Sequence, residues 1–155
     1  MTTRGKQSAW ILAALLPALS ISASTESAPA DAPAEATVCD GVYSAVQAQK
    51  GQETYVAHCA QCHGANFRGG FGVASLVGPT FTILWGDKTL ASLFDKMVTT
   101  MPLDRPGALS DQSYVELLAR ILEMNNYPAS DAAELSPQRE ALEKLTVPKK
   151  CLGSE

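Results

Sequence analysis

Histidine is scarce in this 155-residue chain, which has only His58 and His63, and basic side chains form no cluster anywhere. Sixteen acidic residues outnumber twelve basic ones, for a formal net charge of −4. An acidic chain without a basic stripe excludes nucleic acid as a partner. No nucleophile elbow, phosphate-cradling glycine loop or zinc-protease motif occurs, so the hydrolase and nucleotide-dependent classes that rely on them are excluded as well. Long hydrophobic runs are also missing. The longest, "AWILAALLPALSI" near the N-terminus, is broken by Pro17 and short for a bilayer span, so no firm membrane anchor is expected. No internal repeat is visible, and the length fits one domain.

That N-terminal run has another use. Arg4 and Lys6 precede it, and the small residues Ser22, Ala23 and Ser24 follow it. This is the pattern of a secretory signal, expected over residues 1–24. Its removal takes away two basic residues and no acidic ones, leaving the mature chain more acidic. Residues 25–38 read as a disordered leader: up to Thr37 they are rich in Ala, Pro, Ser and acid, with no apolar residue large enough to build a core. The folded domain is expected over 39–152, outside the cytoplasm.

Four cysteines divide into a close pair, Cys59 and Cys62, and an outer pair, Cys39 and Cys151, at the two ends of the expected domain. An exported protein lives where disulfides persist. A Cys39–Cys151 bridge would staple the ends together and is the expectation; two free thiols are the alternative that sequence leaves open.

The close pair lies in "YVAHCAQCHGANFRGG", with His63 directly after Cys62. A structural zinc site needs a second chelating pair, which the chain does not supply. A redox dithiol needs a strand-to-helix junction in an α/β pattern, whereas the flanks here look helical. C-x-x-C-H fits covalent haem: two thiols add to the two vinyl groups of one porphyrin, and the adjacent histidine ligates the iron. One haem c is therefore the expected cofactor, held by Cys59, Cys62 and His63.

Around this motif the apolar spacing is helical. A helix from about Ser44 to His58 leads into it, with Gly51 at its middle. "TLASLFDKMV" sets Leu90, Leu93, Phe94, Met97 and Val98 on one face, capped by Thr89 or Asp87, and must end before Pro102. Ser110 caps a third helix whose stripe is Tyr114, Leu117, Leu118, Ile121 and Leu122, stopped by Asn125, Asn126 and Pro128. "SPQREALEKL" reads as a short last helix with Ser136 as N-cap and Pro137 at the first position. The expected fold is all-α, four to five helices around one haem.

"QAQKGQETYVAHCAQCHG", "GPTF", "TTMP" and "PGALSDQSYVELLARILEMNNYP" together resemble the class I c-type cytochromes over about residues 40–148. They are particularly similar to the small single-haem cytochromes associated with bacterial quinoprotein alcohol dehydrogenases. The resemblance implies a cytochrome c fold and makes Met101, on an irregular segment followed by proline, the sixth iron ligand. Met97 is the runner-up ligand, although its place on the apolar helix face reads as core packing; Met124 reads as packing and His58 as a surface histidine. It further implies that the carbonyl of Pro79 accepts the second ring nitrogen of His63, and that Trp85 packs at the haem edge with its N–H toward a propionate. Arg68 is a lesser candidate for a propionate, and Phe67, Phe71 and Phe81 are expected as pocket walls. Gly51 is where another helix crosses closely. The implied role is a non-enzymatic periplasmic electron carrier, taking electrons from a dehydrogenase, a quinoprotein by resemblance, toward a terminal oxidase.

Overall fold

A computed structural model describes residues 36–151. The expected signal over 1–24 lies outside the described residues, as does most of the leader. Its last part does not: Ala36, Thr37 and Val38 belong to the folded unit. Thr37 caps a 3-10 turn, Val38–Asp40, in a reciprocal box with Asp40. Val38 is fully buried. The ordered part thus begins before Cys39, because Val38 supplies apolar surface that the composition of the leader concealed.

The remaining elements follow in chain order. Helix α1 spans Ala45–His58, α2 Ala60–His63, α3 Gly78–Trp85, α4 Leu90–Thr100, α5 Asp111–Met124 and α6 Arg139–Glu143. Two short strands, β1 (Lys88–Thr89) and β2 (Thr146–Val147), pair antiparallel with Lys88 opposite Val147. Six helices among the described residues exceed the four to five expected, because the haem motif forms its own single turn and the "GPTF" segment opens a helix. Among these residues no helix is long and apolar enough to cross a membrane.

Thr89 and Ser110 cap their helices as the sequence predicts, and Ser44 does the same for α1. Ser44, Thr89 and Ser110 each accept a backbone N–H three residues on, from Gln47, Ser92 and Ser113. The last helix differs. It is five residues long and begins after Gln138, while Ser136 Oγ accepts the N–H of Gln138 in a turn ahead of it. Ser136 and Pro137 shape the approach to the helix and lie outside it.

Helices α1 and α5 form the main packing pair. Their approach is closest at Gly51, where a Cβ would lie 1.9 Å from the Glu116 carbonyl oxygen and 2.5 Å from its carbon. Only a hydrogen fits there. The apolar stripes of α4 and α5 close on this pair, burying Leu90, Leu93, Phe94, Tyr114, Leu117, Leu118, Ile121 and Leu122. Buried polar groups fix the segments between helices. Both amide atoms of Gln47 bond the backbone of Leu135, at 2.9 Å each. Tyr43 donates to the Tyr127 carbonyl at 2.7 Å, and Tyr127 donates to that of Pro148 at 2.5 Å.

Cys39 and Cys151 are bridged, with Cα atoms 5.5 Å apart and a separation of 112 positions in sequence. The bridge ends a C-terminal strap. Thr146 N–H bonds the Ala36 carbonyl, Asp87 N–H bonds that of Val147 and Leu90 N–H bonds that of Leu145. Lys149 pairs with Asp87 at 2.6 Å. On α6, Arg139 holds both carboxylate oxygens of Asp95 on α4.

Two outcomes follow from this packing. Gly51→Ala is expected to destabilise by about 2–3 kcal/mol through overpacking, although alanine by itself favours helix by about 1 kcal/mol; the guanidinium midpoint measures the balance. The Cys39→Ser/Cys151→Ser pair is expected to cost about 2–5 kcal/mol, because a long closed loop is released in the unfolded chain; comparing midpoints of the two proteins checks it.

Candidate functional site

The haem motif is built where α1 runs out. Cys59 leaves the helix at φ −123°, ψ −35° while its N–H still bonds the Tyr55 carbonyl at 2.8 Å. The chain then makes one further turn, in which Cys59 accepts from the N–H groups of both Cys62 and His63 at 3.1 and 2.9 Å. Gly64 ends that turn at φ 75°, a conformation that glycine adopts without cost. This local fold carries both thiols and the imidazole on a single turn. Cys59 is half-buried and Cys62 exposed. Burial first, and the neighbouring Cys62 second, push the Cys59 thiol up to about 11. It therefore stays protonated at neutral pH, which slows thiol–disulfide exchange, a thiolate reaction.

His63 Nδ1 lies 3.1 Å from the Ala74 carbonyl oxygen. A carbonyl only accepts, so this bond selects the tautomer with the proton on Nδ1 and leaves the Nε2 lone pair for a metal. The partner differs from the expected Pro79. That proline is the second residue of α3, where a carbonyl is directed along the helix axis to the fourth residue on; the loop after Gly64 brings Ala74 to the imidazole instead.

The loop itself is tied at several points. Tyr55 donates to the Gly64 carbonyl at 2.6 Å, and burial pushes its hydroxyl up to about 12, so it remains a donor throughout the neutral range. Gly69 N–H bonds the His63 carbonyl at 2.8 Å and Leu76 N–H bonds that of Phe67, also at 2.8 Å. Phe67 is buried and stacks on Tyr55 with ring centroids 3.6 Å apart, beneath the Arg120 guanidinium. Its φ of 63° is unusual for a bulky residue, and these contacts hold it there. Phe81 is likewise buried in the core.

Asn125, legible in the sequence only as a helix stop, does more. Its Nδ2 donates to the Leu76 carbonyl at 2.9 Å and its Oδ1 accepts from Gly78 N–H at 3.0 Å. The end of α5 thereby clamps the segment that leads into α3. A polar residue at a helix C-terminus gives no sequence signal for such a long-range contact.

Met101 caps the C-terminus of α4, its N–H bonded to Met97 O at 2.8 Å, in extended conformation and outside the helix. The Met101–Pro102 peptide is cis. Met97 and Met124 pack against the core, and His58 is exposed. Trp85 closes α3, partly buried, with Lys88 Nζ 5.2 Å from its ring centroid. Arg68 is exposed and lines a cavity of about 680 Å³ together with Asn66, Pro79, Asn125 and Lys149. None of Cys59, Cys62, His63 and Met101 borders that cavity, which is therefore a feature apart from the motif.

The donor set fits haem. Among the described residues no group of three or more His, Cys, Asp or Glu side chains is arranged to hold a bare metal ion. Large apolar side chains stand exposed on the loop after the motif, on α3 and just past Met101: Phe71, Ile83, Leu84 and Leu103. A flat apolar porphyrin is the kind of group that covers such surface, while thiols and imidazole fix its edge and its metal.

Residues 46–119, just under half of the chain, match the model of the family described as cytochrome C oxidase, cbb3-type, subunit III. No curated protein and no solved structure gives a match. With the helical architecture above, the match establishes a cytochrome c fold whose cofactor is covalently bound haem c. Haem is accordingly expected to stay with the chain through denaturation and acidic solvent extraction. The Cys59→Ser/Cys62→Ser pair should release it completely, as read from the haem absorbance of the precipitated protein.

Proposed function

We propose that this c-type cytochrome domain is an exported electron carrier in which His63 and Met101 would hold the haem iron. Bound haem c supplies a reversible one-electron iron couple. Cys59 and Cys62 keep it in place by thioether bonds, where none could be recaptured if lost. The bond from His63 Nδ1 to the Ala74 carbonyl orients the imidazole and raises its basicity. The soft thioether of Met101 favours the reduced metal and raises the potential. Two protein ligands leave no open position for oxygen or peroxide, so the reading is transfer without catalysis. Trp85, the last residue of α3, is assigned to the haem edge, with Pro79 at the start of the same helix.

The observation that carries this reading is the position of Met101. It sits at the end of a capped, well-packed helix, on an extended residue before a proline, while the other methionines near it are engaged in the core. The acidic composition suits a basic partner surface, and electron-transfer encounters are small and weak. We place the protein in the periplasm, between a dehydrogenase, a quinoprotein by resemblance, and a terminal oxidase. A second reading, a fixed haem subunit of a multi-subunit oxidoreductase, is favoured by the name of the matched family, which is that of an oxidase subunit. Stable co-purification with other chains would select it.

The absorption spectrum of haem-loaded protein tests the ligand pair. The expected result is a low-spin spectrum with the weak long-wavelength sulfur-to-iron band when oxidised, and no change when the reduced form meets carbon monoxide. A high-spin ferric form or ready carbon monoxide binding would remove Met101 as the ligand and point to gas binding or peroxidatic chemistry.

A further inference from the structure

Met101 ends α4, so its carbonyl is one of the four that an α-helix leaves without an internal partner. The next residue, Pro102, is buried and has no N–H to offer a turn. The carbonyl is nevertheless satisfied. The hydroxyl of Tyr114, thirteen residues on, donates to it at 2.7 Å. Tyr114 lies in the first turn of α5, with its own N–H bonded to the Ser110 carbonyl at 3.0 Å. Its side chain is 1% exposed, and its ring meets that of Phe94 on α4 edge-on, with centroids 6.2 Å apart. The tyrosine is thus fixed at its backbone, its ring and its hydroxyl.

The bond closes the base of the 102–113 segment, which is otherwise largely exposed. Within it Leu103, Asp104, Arg105, Pro106, Gly107 and Ala108 all face solvent, held by two turn bonds, Arg105 N–H to Pro102 O and Ala108 N–H to Arg105 O, and an exposed Arg105–Asp104 pair, until Leu109 returns to the core. With its N–H bonded to the Met97 carbonyl and its own carbonyl held by a rigid donor, Met101 has both flanking peptide planes fixed, and the two planes together set the direction in which its side chain leaves the backbone. At the other end of α4, the β1–β2 ladder and the Arg139–Asp95 pair hold the helix to the C-terminal strap. Tyr114 supplies the restraint at the end where the sulfur is.

We propose that Tyr114 is a positioning residue for the sixth iron ligand: by holding the Met101 carbonyl it keeps the thioether directed at the haem and limits its replacement by other ligands. The proposal rests on the reading of Met101 as that ligand.

The test is imidazole binding to oxidised, haem-loaded protein, since imidazole competes with the methionine for iron. Tyr114→Phe keeps the ring and removes the donor. Its affinity for imidazole is expected to rise about fivefold, the ratio that corresponds to one ordinary hydrogen bond, with a weaker sulfur-to-iron band. Placing 4-aminophenylalanine at 114 restores a donor and is expected to return both readouts toward wild type. Phe94→Leu loosens the same ring contact without touching the hydroxyl; it is expected to lower thermal stability and leave imidazole affinity unchanged. If Tyr114→Phe does not fold, 4-fluorophenylalanine against 4-aminophenylalanine at 114 makes the same comparison.

An unchanged imidazole affinity in the variants without a donor overturns the proposal, as does an equal rise in Phe94→Leu. Failure of the underlying reading looks different. Wild-type protein would then lack the sulfur band, and Met101→Ala would bind imidazole no more tightly than wild type.

Discussion

Glycine at position 51 sets the distance between α1 and α5, and the rest of the molecule is arranged around that crossing. The Glu116 carbonyl occupies the space that any Cβ at 51 would need. Each helix carries pieces of the haem site beyond the contact. The C-terminal end of α1 delivers Cys59 and, one turn on, Cys62 and His63. The N-terminal end of α5 holds the Met101 carbonyl through Tyr114, and its C-terminal end holds the segment into α3 through Asn125. A change in the crossing would therefore move the turn that carries Cys59, Cys62 and His63 relative to the segment that carries Met101.

Directional bonds from buried and half-buried side chains convert this packing into a defined site. Tyr55 bonds the carbonyl of Gly64 beside His63, Tyr114 that of Met101, and Asn125 that of Leu76 in the segment leading into α3. Apolar contacts alone tolerate sliding by fractions of an ångström, whereas a buried donor that loses its acceptor pays the full cost of desolvation. The same logic extends to Gln47, Tyr43 and Tyr127, which tie the long C-terminal half back to α1 and to the strap.

The strap gives α4 a second support. Its strand pairs with the two residues before the helix, α6 ion-pairs with Asp95, and the Cys39–Cys151 bridge closes the end. Exposed ion pairs such as Arg139–Asp95 contribute little by themselves. Joined to a disulfide and a backbone ladder, they become part of one continuous restraint on the helix that ends in Met101.

Local chemistry was legible in the sequence. C-x-x-C-H specifies its own ligation because two thiols and an imidazole on one turn have few other uses, and Thr89 and Ser110 announce their helices because a cap needs only the N–H groups three residues on. The apolar stripes of α4 and α5 predicted which residues are buried, and the outer cysteines could be paired by compartment. Contacts between distant segments were not legible. Ala74 in place of Pro79 beside His63, Phe67 stacked in the core, Val38 drawn into the fold, Asn125 as a clamp and Tyr114 on the Met101 carbonyl all depend on where loops return. Sequence by itself determined the cofactor chemistry and the helices, since both are decided within a few neighbouring residues. Tertiary structure alone decided which backbone groups hold the ligands in place, because hydrogen-bond partners far apart in the chain leave no periodicity to read.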